Sequence, residues 1–273
     1  MSITALVFDV CLGAAIGFLG GLFGVGGGII AIPILGLIFG FNQQVAQGTA
    51  LVLVVPNVLL GLWRYYKRGG LDVRYALVLG ITAVVFTYAA AKVAVGLHSS
   101  TLRAAFGVFV ACTAVLLGWQ TWHRTQSEVA HAYPAGAPSD IAHDLGSAPH
   151  PAWGWGTLVG AAGGVLSGLF GVGGATIAPP LLTTFYGFRQ AAAQGLALAL
   201  VAPGAIVGLA TYAKAGAVNW PQGLALAAGG MLLVSRGVSM AYKLPERKLK
   251  LSFCCVLVVT AAVMVTSSLG FQF

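Results

Sequence analysis

The sequence predicts an all-α fold: a polytopic helical membrane protein with roughly eight to ten membrane helical segments in two homologous halves. Composition is the first reason, because 58% of the 273 residues are hydrophobic and only 7% are charged. An ordinary soluble domain is about a quarter charged. The second reason is a series of uncharged runs, each long enough for a bilayer span of about 20 residues. These runs cover residues 10–63, 104–123, 145–188, 190–213, 215–235 and 251–273.

An internal duplication is the third reason. Residues 13–69 align without a gap on residues 160–216, at an offset of 147, and 32 of the 57 aligned positions are identical. Self-similarity at a fixed offset indicates two copies of one structural unit. We therefore predict a first transmembrane repeat at residues 1–122, a hydrophilic linker at 123–151 and a second transmembrane repeat at 152–273.

The positions of lysine and arginine predict how the two repeats are oriented. Basic residues crowd loop 64–74 in the first repeat and loop 243–250 in the second, whereas the counterpart of loop 64–74 holds only Lys214. Because Lys and Arg favour the cytoplasmic side, corresponding loops are expected to face opposite sides of the membrane. The repeats would then be inverted, which is a recurrent architecture of secondary transporters.

Inverted repeats need an odd number of crossings in each copy, and this requirement bears on the glycine-rich segments. We predict that residues 5–41 and 152–187 each form a hairpin of helix, glycine break and helix. The hairpin is either re-entrant or made of two short spans. Eight plain spans with parallel halves are the alternative.

The predicted glycine breaks are candidate anion-binding sites. They fall at Gly24, Gly26, Gly27 and Gly28, and at Gly171, Gly173 and Gly174. A half-helix that starts after a break presents free amides and roughly half a positive charge, and glycine lets a ligand approach the backbone closely. Close helix packing is the alternative, and we favour it for the upstream glycines with four-residue spacing. Those are Gly13, Gly17 and Gly21, with Gly160, Gly164 and Gly168.

Polar side chains downstream of the hairpins complete the predicted substrate site. The candidates are Gln47, Thr49, Asn57 and Gln194. Amides and hydroxyls in an apolar helix either bond a neighbouring helix or face a cavity. Gln47 and Gln194 are counterparts, but Leu196 replaces Thr49 and Gly204 replaces Asn57. We therefore expect an asymmetric site.

Two prolines, Pro56 and Pro203, occupy equivalent positions inside apolar helices. Proline removes a main-chain hydrogen bond, so both are predicted hinges.

No predicted span has an acidic residue at its centre. Asp9 lies near the amino end of its helix, Asp72 follows a loop and Glu246 lies within another loop. With the half-helix amino termini and the basic loops, this favours an anionic or neutral substrate over a pumped cation. No nucleotide-binding or nucleophile motif is present. We expect no enzyme activity, no cofactor, no metal site and no nucleic-acid partner.

The repeated motifs resemble those of the TauE/SafE family of sulfite and sulfonate permeases. The likeness rests on GLFGVGGG and AQGTALVLVVP in the first repeat, and on GLFGVGGA, APP and AQGLALALVAP in the second. It covers nearly the whole chain and implies export of sulfur-containing or related organic anions, such as sulfite, sulfoacetate or thiosulfate-like anions. The resemblance also implies that the family's glycine motifs fall on the two breaks, with Ala175 in place of Gly28 in the second copy.

Together these observations predict a secondary transporter that exposes a midplane anion site alternately to each side of a lipid bilayer, by default a bacterial inner membrane. The membrane potential, or coupling to H⁺ or Na⁺, would drive it. A non-transporting membrane scaffold or assembly protein and a passive anion channel are the alternatives.

Overall fold

The computed structural model describes residues 3–67, 73–123, 153–172, 178–179 and 190–268. Within these ranges the chain forms helices throughout and no strand, which confirms the predicted all-α class. The helices are α1 (Ile3–Phe23), α2 (Gly28–Ile38), α3 (Gln43–Lys67), α4 (Val73–Gly96), α5 (Ser99–His123), α6 (Trp153–Phe170), α7 (Gln190–Lys214), α8 (Trp220–Ala241) and α9 (Glu246–Ser268). Six of these described helices contain a stretch long and apolar enough to cross a membrane: α1, α3, α4, α5, α7 and α8.

Helices α3 and α7 are counterparts in the duplication, and they pack against each other in antiparallel directions. Gln47, near the start of α3, meets Tyr212 near the end of α7, and Tyr65, near the end of α3, meets Gln194 near the start of α7. Equivalent helices that run antiparallel are related by a pseudo-two-fold axis perpendicular to them. The repeats are therefore inverted, as the basic loops predicted, and parallel halves would have set α3 and α7 parallel.

The carboxyl ends of α3 and α8 lie at the same end of the bundle. Helix α8 runs parallel to α3, because Thr49 contacts Asn219 at the start of α8 and Arg64 contacts Ser235 towards its end. Arg64 and Lys67 in the last turn of α3 and Lys243 just after α8 thus share one end, as the cytoplasmic preference of Lys and Arg requires.

The two repeats interlock through their glycine stripes. Helix α1 packs on α8 of the other repeat, and its counterpart α6 packs on α4. A Cβ atom on Gly13, Gly17 or Gly21 would overlap the backbone of Leu226, Gly230 or Val234. A Cβ atom on Gly160, Gly164 or Gly168 of α6 would likewise overlap atoms of α4. The predicted packing role of these upstream glycines is confirmed, because only glycine permits such close approach of two helices in lipid.

The first glycine segment forms a re-entrant hairpin. Helix α1 ends at Phe23, and Gly24, Gly26 and Gly27 then adopt left-handed backbone conformations, with φ of 69°, 73° and 93°. Gly26 lies against Val54 and Val58, so the turn sits at the middle of α3. Helix α2, with 11 residues, is about 16 Å long. It spans half a bilayer and returns to the end where α3 begins.

The second glycine segment is described only at its start. Gly171 has φ of 65°, as its counterpart Gly24 has 69°. The predicted break residues Gly173 and Gly174 lie outside the described residues.

Candidate functional site

The two breaks meet at the centre of the bundle. A Cβ atom on Gly28, the first residue of α2, would lie 3.1 Å from Cα of Val172 and 3.2 Å from the carbonyl oxygen of Gly171. Gly24 lies against Gln194, where a Cβ would approach the glutamine Cβ to 2.7 Å. Gly171 lies against Gln47, where that distance is 3.2 Å. Each break is therefore covered by the glutamine of the opposite repeat.

Two tyrosines hold these glutamines in place. The hydroxyl of Tyr65 donates to Oε1 of Gln194 at 2.8 Å, and the hydroxyl of Tyr212 donates to Oε1 of Gln47 at 2.8 Å. All four side chains are buried. Sequence analysis missed both tyrosines, although the duplication aligns them: Tyr65 and Tyr212 are identical residues at the offset of 147.

The amino terminus of α2 opens onto this centre. Its N-cap residue, Gly27, offers no side-chain cap. The amides of Ile30 and Ala31 donate to the Gly27 carbonyl. The amides of Gly28 and Ile29 have no hydrogen-bond partner among the described residues. An uncapped helix start supplies free donors and partial positive charge. Such a helix start favours a bound anion, and an anion site at this break stays a prediction.

Several buried donors on the helices that pack around the breaks have no hydrogen-bond partner among the described residues. Among the described side chains these include Nε2 of Gln47, Nδ2 of Asn57 and Oγ of Ser167. Asn57 is 1% exposed and lies against Gly230, and Val58 beside it touches Gly26. Because buried polar groups are rarely left unpaired in native proteins, each needs an explanation such as a bound ligand or water.

The other predicted polar residue, Thr49, already has a protein partner. Its hydroxyl oxygen accepts the amide of Asn219 at 3.0 Å, and Asn219 caps α8 by accepting the amide of Gln222 at 3.2 Å. This contact gives Thr49 a structural role at the start of α8. Contact between Thr49 and substrate stays a prediction.

The second repeat has different polar groups beside its break. Gly204, the counterpart of Asn57, leaves space that is filled by the hydroxyls of Thr87 and Ser167, since a Cβ there would lie 3.0 Å and 3.3 Å from them. Ser167 was not predicted from the sequence. Its signal was a departure from the repeat, because Ser167 replaces Gly20 in an otherwise shared glycine stretch.

Pro56 and Pro203 lie within continuous helices, α3 and α7. The antiparallel contacts between these helices place the two prolines at the same level along the helix pair. Their proposed hinge role is not tested by this geometry.

Charged side chains stay away from the centre. Every Lys and Arg whose side chain the structure describes is exposed, except the half-buried Arg103. Asp9 lies near the amino end of α1, where the sequence places it, but it is only 2% exposed and its Oδ1 lacks a partner among the described residues. It lies in the second turn of α1, far along the helix from the break.

Comparison with known proteins adds independent findings. Residues 10–264 match the family described as sulfite exporter TauE/SafE. The chain is 27% identical over 271 residues to a probable membrane transporter protein of Methanocaldococcus jannaschii, covering 93% of both chains. It is 24% identical over 266 residues to one of Bacillus subtilis, covering 93% of this chain and 95% of the relative. A relative from Xylella fastidiosa, strain Temecula1, is 27% identical over 267 residues, covering 96% and 94%. No solved structure matches the chain.

Proposed function

The chain belongs to the TauE/SafE family of sulfite exporters, and on that premise we propose that it exports small sulfur-containing or related organic anions as a secondary transporter. Its six long apolar helices make it an integral membrane protein, and its relatives are named as membrane transporters. Transport rather than enzymatic chemistry is the activity to which those names point. We further propose a bacterial inner membrane as its location.

The substrate would bind where the two breaks meet. The observation that carries this proposal is the contact of Gly28 with Gly171 and Val172, which brings the free end of α2 between the two repeats. Gly24, Gly26 and Gly27 shape the first break, and Gly173 and Gly174 are proposed to shape the second. Gln47, Asn57 and Gln194 are the side chains proposed to contact the anion.

We propose that alternating access depends on the two glutamine–tyrosine bonds. The Tyr65–Gln194 bond lies towards the basic end of α3, and the Tyr212–Gln47 bond lies towards the opposite end. Both bonds are formed in this structure, so we interpret it as an occluded state. Breaking one bond at a time, with bending at Pro56 and Pro203, would open the centre to one side. The membrane potential, which drives anions out of a negative cytoplasm, or coupling to H⁺ or Na⁺, would supply the energy.

Efflux from proteoliposomes tests this proposal. Vesicles loaded with ³⁵S-labelled sulfite, thiosulfate, sulfoacetate or sulfate are placed under an imposed membrane potential. We expect saturable efflux of at least one anion from the native protein. Gly28→Leu should reduce this flux at least tenfold, because the added side chain would fill the contact with Val172. Gly28 has no positive φ, so backbone strain does not account for the loss.

Gly96→Leu is the matched control, because a Cβ on Gly96 meets nothing within 4 Å and its φ is not positive. It should transport like the native protein. Absence of flux for every anion, with folded native protein, would contradict transport of these substrates and favour a scaffold. Currents that do not saturate and far exceed alternating-access rates would favour a channel.

A further inference from the structure

Ser167 carries a buried hydroxyl that lies beside Gly204 of α7. The residue is 2% exposed, and its Oγ has no hydrogen-bond partner in the part of the chain that the structure describes. The serine lies in the last turn of α6, and its carbonyl accepts the amide of Gly171 at 2.9 Å. Ser167 therefore stands directly before the second break.

Other hydroxyls in the helices behave differently. Four described side chains donate to the carbonyl four residues earlier in their own helix: Thr113, Thr211, Ser239 and Ser252. This is the usual way for a serine or threonine to satisfy its donor inside a helix. Thr87 instead donates across helices to the Gly164 carbonyl at 3.0 Å. Ser167 makes neither kind of bond, so its donor remains available to a ligand.

Gln47 supplies a second donor at the same break. Its Oε1 accepts the Tyr212 hydroxyl, which fixes the amide and leaves Nε2 buried and unpartnered among the described residues. The Tyr212 hydroxyl also lies 3.1 Å from the Gly168 carbonyl, next to Ser167 in the chain. Asn57, whose neighbour Val58 touches Gly26, offers a further donor without a partner among the described residues. All three are neutral.

Among the described residues no cation lies at the centre, and this limits the charge that the centre can hold. No described Lys or Arg side chain is buried, and one helix amino terminus supplies only about half a positive charge. Moving an ion out of water is strongly unfavourable unless a counter-charge compensates for the lost hydration. The electrostatic desolvation free energy grows with the square of the charge, so it is about four times larger for a dianion than for a monoanion of the same size. Neutral donors therefore suit a single negative charge.

We propose that the central site selects singly charged sulfur oxyanions, such as hydrogensulfite or a simple sulfonate, and that Ser167 donates one of the hydrogen bonds that bind them. This inference rests on the proposed transport function and narrows its substrates. It excludes thiosulfate, sulfate and sulfoacetate, which carry two negative charges at neutral pH, as preferred substrates.

The first test uses the native protein in proteoliposomes, with efflux measured at zero membrane potential. Methanesulfonate, a monoanion at every pH used, should be transported at least tenfold faster than sulfate or thiosulfate. Sulfite loses its second proton near neutral pH, so its flux should fall as the pH on both sides is raised, while methanesulfonate flux stays level. Sulfate or thiosulfate flux equal to that of methanesulfonate would overturn the charge selection.

The second test replaces the hydroxyl. Ser167→Ala should raise the half-saturation concentration for methanesulfonate about tenfold, which corresponds to about 1.4 kcal/mol, with the maximal rate nearly unchanged. The same variant should lose most of the thermal stabilisation that methanesulfonate gives the detergent-solubilised native protein. Ser239→Ala, which removes a hydroxyl already bonded to its own helix, is the matched control and should change neither value.

The outcomes separate this inference from the function on which it rests. No flux of any anion through folded native protein would contradict transport itself. Saturable flux with an unaltered half-saturation concentration in Ser167→Ala would leave transport standing and reject Ser167 as a binding residue. If Ser167→Ala does not fold, Ser167→Thr keeps the hydroxyl and should retain native affinity, and a tenfold weaker affinity there would count against the role.

Discussion

Asn57 in the first repeat and Gly204 in the second occupy equivalent positions on α3 and α7, but their surroundings differ. Asn57 packs on Gly230 with its amide unpartnered, whereas Gly204 faces the hydroxyls of Thr87 and Ser167. The backbone contacts around them are nearly the same in both repeats. Gly24 meets Gln194 as Gly171 meets Gln47, and each glutamine accepts a tyrosine of the other repeat.

We propose that this difference separates the residues that hold the two repeats together from the residues that bind the substrate. The glycines, glutamines and tyrosines form contacts between the repeats, so a change in one copy disturbs the other. The polar groups beside the breaks make no such reciprocal contact. They are free to differ, and an anion with no internal two-fold symmetry is better matched by an asymmetric set of donors.

The largest expected effects come from the shared backbone contacts. Gly24→Ala forces an alanine into φ of 69° and places its Cβ 2.7 Å from that of Gln194, which should destabilise the fold by about 3 kcal/mol. Gly171→Ala has similar φ but a looser contact of 3.2 Å, and should be milder. Melting temperatures in detergent should rank Gly24→Ala lowest.

Gly216→Ala isolates the backbone contribution. Gly216 has φ of 71° and nothing within 4 Å of its built Cβ, so this variant should lose only about 1–2 kcal/mol. A melting temperature for Gly24→Ala equal to that of Gly216→Ala would mean that the contact with Gln194 does not constrain the break.

The next effect concerns the groups that differ between the repeats. Asn57→Ala should raise the half-saturation concentration for the transported anion about tenfold, because it removes a donor to the charged ligand. Its melting temperature should stay level or rise, since an unpartnered buried amide is lost. Flux assays and thermal melts on one preparation check both. A drop in stability with unchanged affinity would instead make Asn57 a packing residue.

The tyrosines test whether the reciprocal bonds are equivalent. Tyr65→Phe and Tyr212→Phe each remove the donor to a glutamine and should each destabilise the protein by about 1–2 kcal/mol. The two bonds lie at opposite ends of α3, so the double variant should be nearly additive. Tyr66→Phe, at a residue 59% exposed, is the control in thermal melts. If only one of the two variants loses stability, the two hydrogen bonds do not contribute equally to the fold.

The smallest effect is expected at Thr49, which Leu196 replaces in the second repeat. Thr49→Val removes the acceptor of the Asn219 amide and should reduce stability by about 1 kcal/mol without changing the half-saturation concentration. Thr113→Val, whose hydroxyl bonds its own helix, serves for comparison. A clear rise in half-saturation concentration would support the sequence-based prediction that Thr49 contacts substrate.

Several features of the protein followed from the sequence alone. Few charges and long apolar runs leave helices as the only way to satisfy the backbone in lipid, which fixes the all-α class. The basic loops fixed the orientation of the repeats, because charge asymmetry acts on each loop separately. The glycine clusters located the break between α1 and α2, since positive φ is accessible mainly to glycine.

Only the tertiary structure decided which side chains meet. The partners of Gln47 and Gln194 are 165 and 129 residues away in the chain, and no local pattern encodes a contact made across a pseudo-two-fold axis. The same holds for Ser167, whose proposed role in binding rests on a buried hydroxyl with no hydrogen-bond partner among the described residues. Asp9 lies close to the amino end of the sequence, where local pattern does not indicate burial, yet the packing of the helices buries it. Local physics determines helices and breaks residue by residue, whereas the composition of a site depends on how distant helices pack, which is set by the sum of all their contacts.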